Sequence, residues 1–326
     1  MKISTASSAH SARRSARCIP RRRLRSLNIP WAEDCRLCGR NCGTARTIKA
    51  GRCGMTDEVR VARAALHMWE EPCISGKEGS GAVFFAGCPL RCVFCQNREI
   101  ALGKAGKAVS IERLAEIFLQ LQEKNANNIN LVTPTHFVPP IIEAAALARR
   151  QGLAIPIVYN TGSYETEEIV ESLRGTVDIF LPDLKFCDPE IAGRYANAPD
   201  YFERAAAAID RMMKITGPPV FDERGIMTRG TLVRHMVMPG ATKDSMRILS
   251  YLAETYGKDI YVSIMSQYTP MPGIEKRYPE LGRRITRREY EKVVDYALNL
   301  GLMNAYIQER ETAKESFIPA FDGTGV

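Results

Sequence analysis

Three closely spaced cysteines are the feature of this sequence most suggestive of chemistry. Residues 87–97 read GCPLRCVFCQN and place Cys88, Cys92 and Cys95 as C-x3-C-x2-C. A structural zinc site takes four ligands, and an iron–sulfur cube has four irons to coordinate. Three thiolates therefore predict a [4Fe-4S] cluster with one iron left open to a substrate or cosubstrate. A zinc site completed by a distant side chain is the alternative.

A second group of cysteines lies nearer the N-terminus and offers four thiols. The segment 35–53 reads CRLCGRNCGTARTIKAGRC and spaces Cys35, Cys38, Cys42 and Cys53 as C-x2-C-x3-C-x10-C. Neighbouring glycines let the backbone turn tightly around an ion. Four thiolates predict a closed site, either structural zinc or an auxiliary iron–sulfur cluster that passes electrons to the first. Ordinary reduced cysteines are the alternative.

The distribution of all ten cysteines bears on the cellular compartment. Seven lie in the two groups, and no stretch has the apolar core of a secretory signal. This pattern favours metal binding in a reducing compartment, so we predict a cytoplasmic protein. Of the others, Cys18 predicts no function and Cys73 is expected to pack in the core. Cys187 either packs or faces the site and relays a hydrogen atom.

The formal net charge of +8 is concentrated at the N-terminus. Residues 1–30 contain eight basic and no acidic residues, so the rest of the chain is balanced and no nucleic-acid partner is predicted. This tail is rich in Ser, Ala and Arg and is expected to be disordered. Its composition also fits a transit peptide for the mitochondrial matrix. No apolar run approaches the roughly 18 residues of a membrane span, so no membrane partner is expected.

Short apolar runs from about residue 80 onward predict the strands that must position these cysteines. The runs are continuous, as expected of strands buried on both faces of a parallel sheet. They are AVFFAG (82–87), INLVTP (129–134), IPIVYN (155–160), VDIFLP (177–182), LVRHMVMP (232–239) and IYVSIM (260–265).

Helical patterns separate the predicted strands. Ser110 is expected to cap the first helix, and further apolar stripes cover 139–152, 200–217, 244–257 and 286–301, each ending at glycine. Six βα units with right-handed crossovers predict an α/β fold, a partial (β/α)6 barrel. In such barrels the chemistry lies at the C-terminal ends of the strands, and the three-cysteine loop directly follows the first strand.

We predict three parts in the chain. Residues 1–30 form the tail, residues 31–66 form a small cysteine-rich segment that binds metal, and residues 67–326 form the barrel with a C-terminal extension.

The three-cysteine loop resembles the signature of radical S-adenosylmethionine (SAM) enzymes, in which C-x3-C-x2-C follows the first strand of a (β/α)6 barrel. The resemblance implies a [4Fe-4S] cluster whose free iron is chelated by the amino and carboxylate groups of SAM. One electron from the reduced cluster then cleaves the sulfonium bond and gives methionine and a 5′-deoxyadenosyl radical. Phe94, just before the last cysteine, matches the aromatic residue that contacts the adenine.

Other segments narrow the resemblance to a branch named after the pyruvate formate-lyase activating enzymes. The segments are 70–97, 129–141, 178–186, 232–240 and 266–271, and the resemblance covers nearly all of residues 31–326. Activators of the broader group remove a hydrogen atom from one backbone glycine of a partner enzyme. The resemblance thus implies a glycyl radical enzyme as a candidate partner and a flavodoxin or ferredoxin as reductant.

The resemblance also implies roles for polar residues at the strand ends. Asp183 and Lys185 match a D-x-K element in which the aspartate helps to hold a monovalent cation near the SAM carboxylate and the lysine lies beside the peptide substrate. Asn160 and Thr161 match further SAM or cation contacts, and Arg234 matches an arginine that approaches SAM. Read without the resemblance, these residues also fit a strand-end ion pair, a turn, and a buried arginine with an anionic partner.

One stretch departs from the family pattern. Many radical SAM enzymes carry Gly-Gly-Glu after the second strand to bind the SAM amino group, whereas this chain has TPTH at 133–136. Thr133 and Thr135 offer hydroxyl and backbone acceptors for an ammonium group. His136 lies at the same face and is either a proton carrier or, as we favour, a structural histidine that caps the following helix.

The sequence therefore predicts an oxygen-sensitive radical SAM enzyme that abstracts hydrogen, with a glycyl backbone as the candidate target. Two alternatives stay open. One is a radical SAM enzyme for another peptide or a small molecule, because substrate choice depends on loops grafted onto a shared fold. The other is a non-catalytic iron–sulfur or zinc protein with four-coordinate metal at both cysteine groups and no SAM.

Overall fold

A mostly parallel sheet forms the centre of the fold in the computed structural model, which describes residues 31–257, 260–308 and 319–326. The predicted tail and Cys18 lie outside the described residues. The strands are β1 (Arg60–His67), β2 (Ser80–Phe85), β3 (Lys107–Ala108), β4 (Ile129–Val132), β5 (Ile157–Thr161), β6 (Ile179–Pro182), β7 (Val220–Phe221), β8 (Met227–Met236), β9 (Tyr261–Met265) and β10 (Ala305–Ile307).

Helices cover the sheet between these strands. They are α1 (Pro72–Ser75), α2 (Arg98–Ala101), α3 (Ile111–Glu123), α4 (Val138–Arg150), α5 (Glu167–Ser172), α6 (Pro189–Ala196), α7 (Tyr201–Thr216), α8 (Thr242–Tyr256) and α9 (Arg287–Asn299), with short 3-10 turns at Thr135–Phe137, Ile274–Lys276 and Pro279–Leu281. Within the described ranges, none of these helices combines the length and the apolar character that crossing a membrane requires.

The strand order makes the sheet an open, partial barrel. The order is β10-β9-β8-β6-β5-β4-β2-β1-β3, and β7 pairs with β8. The seven neighbouring strands β2, β4, β5, β6, β8, β9 and β10 are parallel. By contrast, β1 pairs antiparallel with β2, and β3 pairs antiparallel with β1. The predicted α/β fold is confirmed.

All six predicted strands are present, with bounds shifted by a few residues. Strands β2, β4, β5 and β6 are buried along their whole length, which explains their continuous apolar sequences. The predicted helices also form, and Ser110 caps α3 by accepting a hydrogen bond from the Arg113 amide. The division into three parts remains a prediction; β1 begins at Arg60 and ties the end of the cysteine-rich segment to the sheet.

Candidate active site

An open cavity of about 260 Å³ lies where the parallel strands end. The carboxyl ends of parallel strands share one edge, so loops from distant parts of the chain converge there. The cavity wall contains nine residues that the sequence predicted for the site: Cys88, Cys92, Cys95, Phe94, Thr133, Asn160, Asp183, Lys185 and Arg234. Thr135 and Thr161 also line it.

The three-cysteine loop presents its thiols on one side of the cavity. Cys92 is buried, whereas Cys88 and Cys95 are partly exposed. Burial, together with the neighbouring cysteines, raises the pKa of Cys92 to about 12 and that of Cys95 to about 11. Thiols in such surroundings ionise when a metal supplies compensating positive charge.

This donor set fits an iron–sulfur cube with a free corner. Among the described residues, no three His, Cys, Asp or Glu side chains converge on a point as they do around a single metal ion. A cube carries its ligands on separate irons and so takes thiols that are spread more widely. Three soft thiolates beside an open cavity therefore suit a cluster that keeps one iron accessible.

Aromatic packing fixes the loop from behind. Phe94 is buried and makes edge-on contacts with Phe186, Tyr195 and Tyr268, with ring centroids 6.0, 6.5 and 6.4 Å apart. The Val93 amide also donates a 2.9 Å hydrogen bond to the Tyr195 carbonyl. Phe94 thus both packs and lines the cavity; its contact with adenine remains a prediction.

Arg234 is the centre of a partly buried polar network beside the cysteines. Its Nη1 lies 2.7 Å from Glu70 Oε1, its Nε lies 2.8 Å from Asp183 Oδ1, and its Nη2 donates to Asn160 Oδ1 at 2.6 Å. Asn160 and Asn130 each donate to Glu70 Oε2 at 2.9 Å. The arginine thus has the anionic partners that a buried guanidinium requires.

The charges of this network shift the pKa values of its members. Burial raises the pKa of Asp183, but Arg234 and Lys185 outweigh burial and hold that pKa below its usual value. Burial lowers the pKa of Lys185, but Asp183 and Cys92 outweigh it and raise that pKa. Lys185 Nζ pairs with Asp183 Oδ2, so the predicted strand-end ion pair exists and lies partly buried beside Cys92.

Sequence reasoning missed the two glutamates that follow β1. Glu70 is Arg234's second carboxylate partner, and burial raises the pKa of Glu71 to about 7 against the opposing effect of Arg234. The signal was present in the sequence, since adjacent acids followed by proline occur within a segment that resembles the family. They were overlooked because β1 itself was not predicted.

Thr133 has a strained backbone at the edge of the cavity. Its φ of 57° is in the left-handed region, which is unfavourable for a β-branched residue. The Thr133 amide donates to the Asn160 carbonyl at 2.9 Å, which ties the end of β4 to the Arg234 network. Strain of this kind is typical of functional sites. Its role toward an ammonium group remains a prediction.

Thr135 and Thr161, which also line the cavity, direct their hydroxyl groups to a buried carboxyl group. Thr135 Oγ1 donates to Glu165 Oε1 at 2.6 Å, and Thr161 Oγ1 donates to the same oxygen. Burial raises the pKa of Glu165.

The favoured interpretation of His136 as a helix cap is wrong. Its Nε2 lies 2.6 Å from the Ala86 carbonyl, and α4 has no side-chain cap. Burial lowers the pKa of His136 to about 3, so the ring is neutral, and it does not line the cavity. This position does not suit a proton carrier.

The two single cysteines that the structure describes, Cys73 and Cys187, are not part of the cavity wall. Cys73 packs with Ile74, Val158 and Leu181, as expected. Cys187 packs at the margin of the core beside Leu184 and Phe186 and is not part of the cavity wall.

The four-cysteine segment packs directly against the three-cysteine loop. The Cys88 amide donates to the Cys53 carbonyl at 3.1 Å, and the Gly39 amide donates to the Tyr164 carbonyl at 2.8 Å. Cys35, Cys38 and Cys53 are buried. Burial raises the pKa of Cys38 to about 12. The two predicted metal-binding groups are therefore neighbours in space.

Known proteins with similar sequences include an uncharacterised protein of Methanocaldococcus jannaschii, which is 27% identical over 81% of this chain and 74% of its own length. The pyruvate formate-lyase-activating enzyme of Clostridium pasteurianum is 26% identical over 64% of this chain and 82% of its own length. Among solved structures, Streptococcus suis SuiB bound to S-adenosylmethionine is 16% identical, with a TM-score of 0.45, over 68% of this chain. The match covers 47% of SuiB.

A sequence model of the radical SAM superfamily matches residues 82–252, which is more than half of the chain. This range begins in β2 and contains the three-cysteine loop and every strand that lines the cavity except β1 and β9. The chain therefore belongs to the radical SAM superfamily.

Proposed function

We propose that this protein cleaves SAM at a [4Fe-4S] cluster and uses the resulting radical to abstract a hydrogen atom from a backbone glycine of a partner protein. The observation that carries the proposal is the shared cavity: Cys88, Cys92 and Cys95 form one side of the wall, and the Arg234 network forms another part. Cluster ligands and groups for a charged cosubstrate are thus within one space.

The residues of the cavity have separable roles. Cys88, Cys92 and Cys95 would hold the cluster. When bound, the cluster and SAM supply a 5′-deoxyadenosyl radical through one-electron cleavage of the sulfonium bond. Lys185 lies close enough to Cys92 to favour its thiolate form, and Asp183 holds Lys185 in place.

The charge balance of the Arg234 network suits SAM. Three carboxyl groups, Glu70, Glu71 and Asp183, surround two cations, Arg234 and Lys185, so the network has an excess negative charge when all are ionised. SAM carries a sulfonium and an ammonium against one carboxylate and is therefore a cation. Arg234 and Asn160 would meet its carboxylate, and the glutamates would meet its ammonium.

Two observations support a protein glycine as the target. The Clostridium pasteurianum relative is named for activating pyruvate formate-lyase. The cavity is open to solvent, and its rim includes Trp69, whose surface is 64% exposed, so a peptide segment can enter. A glycine lacks a side chain and lets its α-hydrogen approach the reactive centre closely. We further propose a flavodoxin or ferredoxin as reductant and a reducing compartment such as the cytoplasm.

The first experiment tests SAM cleavage. The protein is reconstituted anaerobically with iron and sulfide, then given dithionite and SAM, and 5′-deoxyadenosine is quantified by chromatography. The expected result is 5′-deoxyadenosine well above a Cys88→Ala control. Equal amounts in both would refute the catalytic proposal.

The second experiment tests the target. Proteins from host cells grown on glycine deuterated at the α-carbon serve as substrate, and the 5′-deoxyadenosine is examined by mass spectrometry. Deuterium in the product supports a glycyl target. Deuterium from alanine- or serine-labelled protein instead, with none from glycine, would replace glycine by another peptide position while leaving SAM cleavage intact.

A further inference from the structure

Arg46 has a buried positive charge for which the described residues provide no carboxylate partner. Its side chain is fully buried, and it donates to the carbonyls of Met55 at 3.3 Å, of His136 at 2.5 Å and of Thr56. The rings of Trp31 and Phe137 lie 5.4 and 5.5 Å from its guanidinium carbon. No Asp or Glu in the described ranges forms an ion pair with it. A buried cation is costly unless an anion offsets its charge.

The nearest candidates for that anion are the cysteines around Gly51. A Cβ at Gly51 would lie 3.6 Å from both Cys42 Sγ and Cys53 Sγ and 3.8 Å from Arg46 Cδ. Two sulfurs and the stem of the arginine thus border the same small space. The missing side chain of Gly51 keeps this space free.

Tight turns bring the other two cysteines, Cys35 and Cys38, close to Cys42 in the same segment. Cys35 pairs with Thr44 in an antiparallel bridge, and Cys42 Sγ lies 3.8 Å from the Cys35 carbonyl. The Asn41 amide donates to the Cys38 carbonyl at 2.9 Å, which closes a turn between the second and third cysteines. All four thiols are free of disulfides. The turns therefore bring four soft ligands into one compact segment next to the Arg46 cation.

We propose that Cys35, Cys38, Cys42 and Cys53 form a closed tetrathiolate metal centre whose negative charge is partly offset by Arg46. Zinc and a [4Fe-4S] cluster share this ligand chemistry, and either gives a dianionic centre with four thiolates. Metal binding draws the thiols together, because the described side chains do not already converge on a point the size of one ion.

The proposed centre lies where it can support the three-cysteine loop. A Cβ at Gly87 would lie 2.4 Å from Met55 Cγ and 2.9 Å from the Cys53 carbonyl, so the two backbones are in direct contact. Arg40 Nε donates to the Pro89 carbonyl at 2.8 Å. A metal that stiffens the segment therefore stiffens the loop. The proposal does not depend on the glycyl target.

Metal content tests the proposal in a variant whose three-cysteine loop can no longer bind metal. The variant Cys88→Ala/Cys92→Ala/Cys95→Ala is purified anaerobically, and zinc, iron and sulfide are quantified. We expect about one zinc, or about four irons with sulfide, per chain. The first result identifies zinc and the second a cluster, and both support the centre. Metal no higher than in a chain lacking all seven cysteines would overturn it.

Two further measurements guard against misfolding. X-ray absorption of the same loop variant needs no further substitution and is expected to show four sulfur ligands on zinc, or sulfur-only ligation on iron. Nitrogen or oxygen ligands would contradict a tetrathiolate site.

Chelator competition compares Arg46→Met with Arg36→Met, whose arginine is exposed and pairs with Asp34. We expect about 10–100-fold weaker metal retention for Arg46→Met alone; equal retention would remove Arg46 from the proposal.

Discussion

Two arginines, the partly buried Arg234 and the fully buried Arg46, have opposite electrostatic surroundings. Arg234 contacts Glu70 and Asp183, and with Lys185 and Glu71 it belongs to a network with excess negative charge. Arg46 contacts only carbonyls and aromatic rings among the described residues. The first region suits a cationic cosubstrate, whereas the second suits an anionic centre.

The cysteines beside each arginine differ in the same way. The three-cysteine loop faces an open cavity and supplies too few ligands to close a cluster. The four-cysteine segment supplies a complete set and is mostly buried. The comparison teaches that the number of thiol ligands and the exposure of the site change together. A reactive metal site requires a free coordination position that solvent can reach, whereas a structural metal site requires neither.

Replacing a ligand in each cysteine group should separate these roles most strongly. Cys92→Ser is expected to lower 5′-deoxyadenosine formation by more than about 100-fold, because it removes a proposed ligand of the reactive cluster. Cys38→Ser should weaken the support that the four-cysteine segment gives to the three-cysteine loop. We expect it to lower 5′-deoxyadenosine formation by about 10–100-fold. Both are measured after anaerobic reconstitution, with Cys187→Ser as a control at the wild-type rate. Equal losses in the two variants would erase the distinction.

Replacing Arg234 by a neutral residue should strongly destabilise the fold. Arg234→Leu leaves the partly buried carboxylates of Glu70 and Asp183 without their main partner. The expected loss is about 3–5 kcal/mol in the free energy of unfolding, measured by urea denaturation. The control is Arg174→Leu, which breaks an exposed pair with Glu171 and should cost about 0–1 kcal/mol. A loss near 1 kcal/mol for both would mean that the network is solvated.

Glu71 should make stability pH-dependent near neutrality. Its pKa rises from 4.5 to about 7 on folding, so the folded state binds more protons than the unfolded state in this window. Stability from this group is therefore fully present below about pH 4.5 and is lost as pH rises toward about 7. Glu71→Gln should flatten the dependence of Tm on pH between 5 and 7. An unchanged slope in this variant would place the titration elsewhere.

Thr133 should give the smallest change in stability. Thr133→Gly relieves a left-handed backbone that costs about 1–2 kcal/mol but adds freedom to the unfolded chain, so the net change in the free energy of unfolding should stay within about 1 kcal/mol. SAM affinity, measured by anaerobic equilibrium dialysis, should weaken because glycine loosens the end of β4. Asn125→Gly, at an exposed residue with φ 61°, should leave SAM affinity unchanged. Unchanged affinity in Thr133→Gly would leave that residue without a ligand role.

Much of the fold could be predicted because buried parallel strands have continuous apolar sequences. β1 escaped this reasoning, since RVARAALH has polar residues that face outward from an antiparallel strand near the sheet edge. β10 is only three residues long and half-exposed, too short to give a pattern.

The candidate site could be predicted for those residues whose position depends only on the strand topology. Asn160, Asp183 and Arg234 come together because each lies at or near the C-terminal end of a parallel strand. The contact of Glu70 with Arg234 joins residues 164 positions apart and depends on the unpredicted β1. His136 was misjudged because Gly87, with φ 86°, leaves the space through which its ring reaches Ala86.

The central claim is that the loop cluster keeps one iron for SAM. Electron–nuclear double resonance on the dithionite-reduced protein, with SAM labelled by ¹⁷O in the carboxylate and ¹⁵N in the amino group, measures this directly. We predict strong hyperfine coupling from both labels to the cluster, absent in Cys88→Ala. SAM that binds without any such coupling would show that no iron is open to it and would contradict the account.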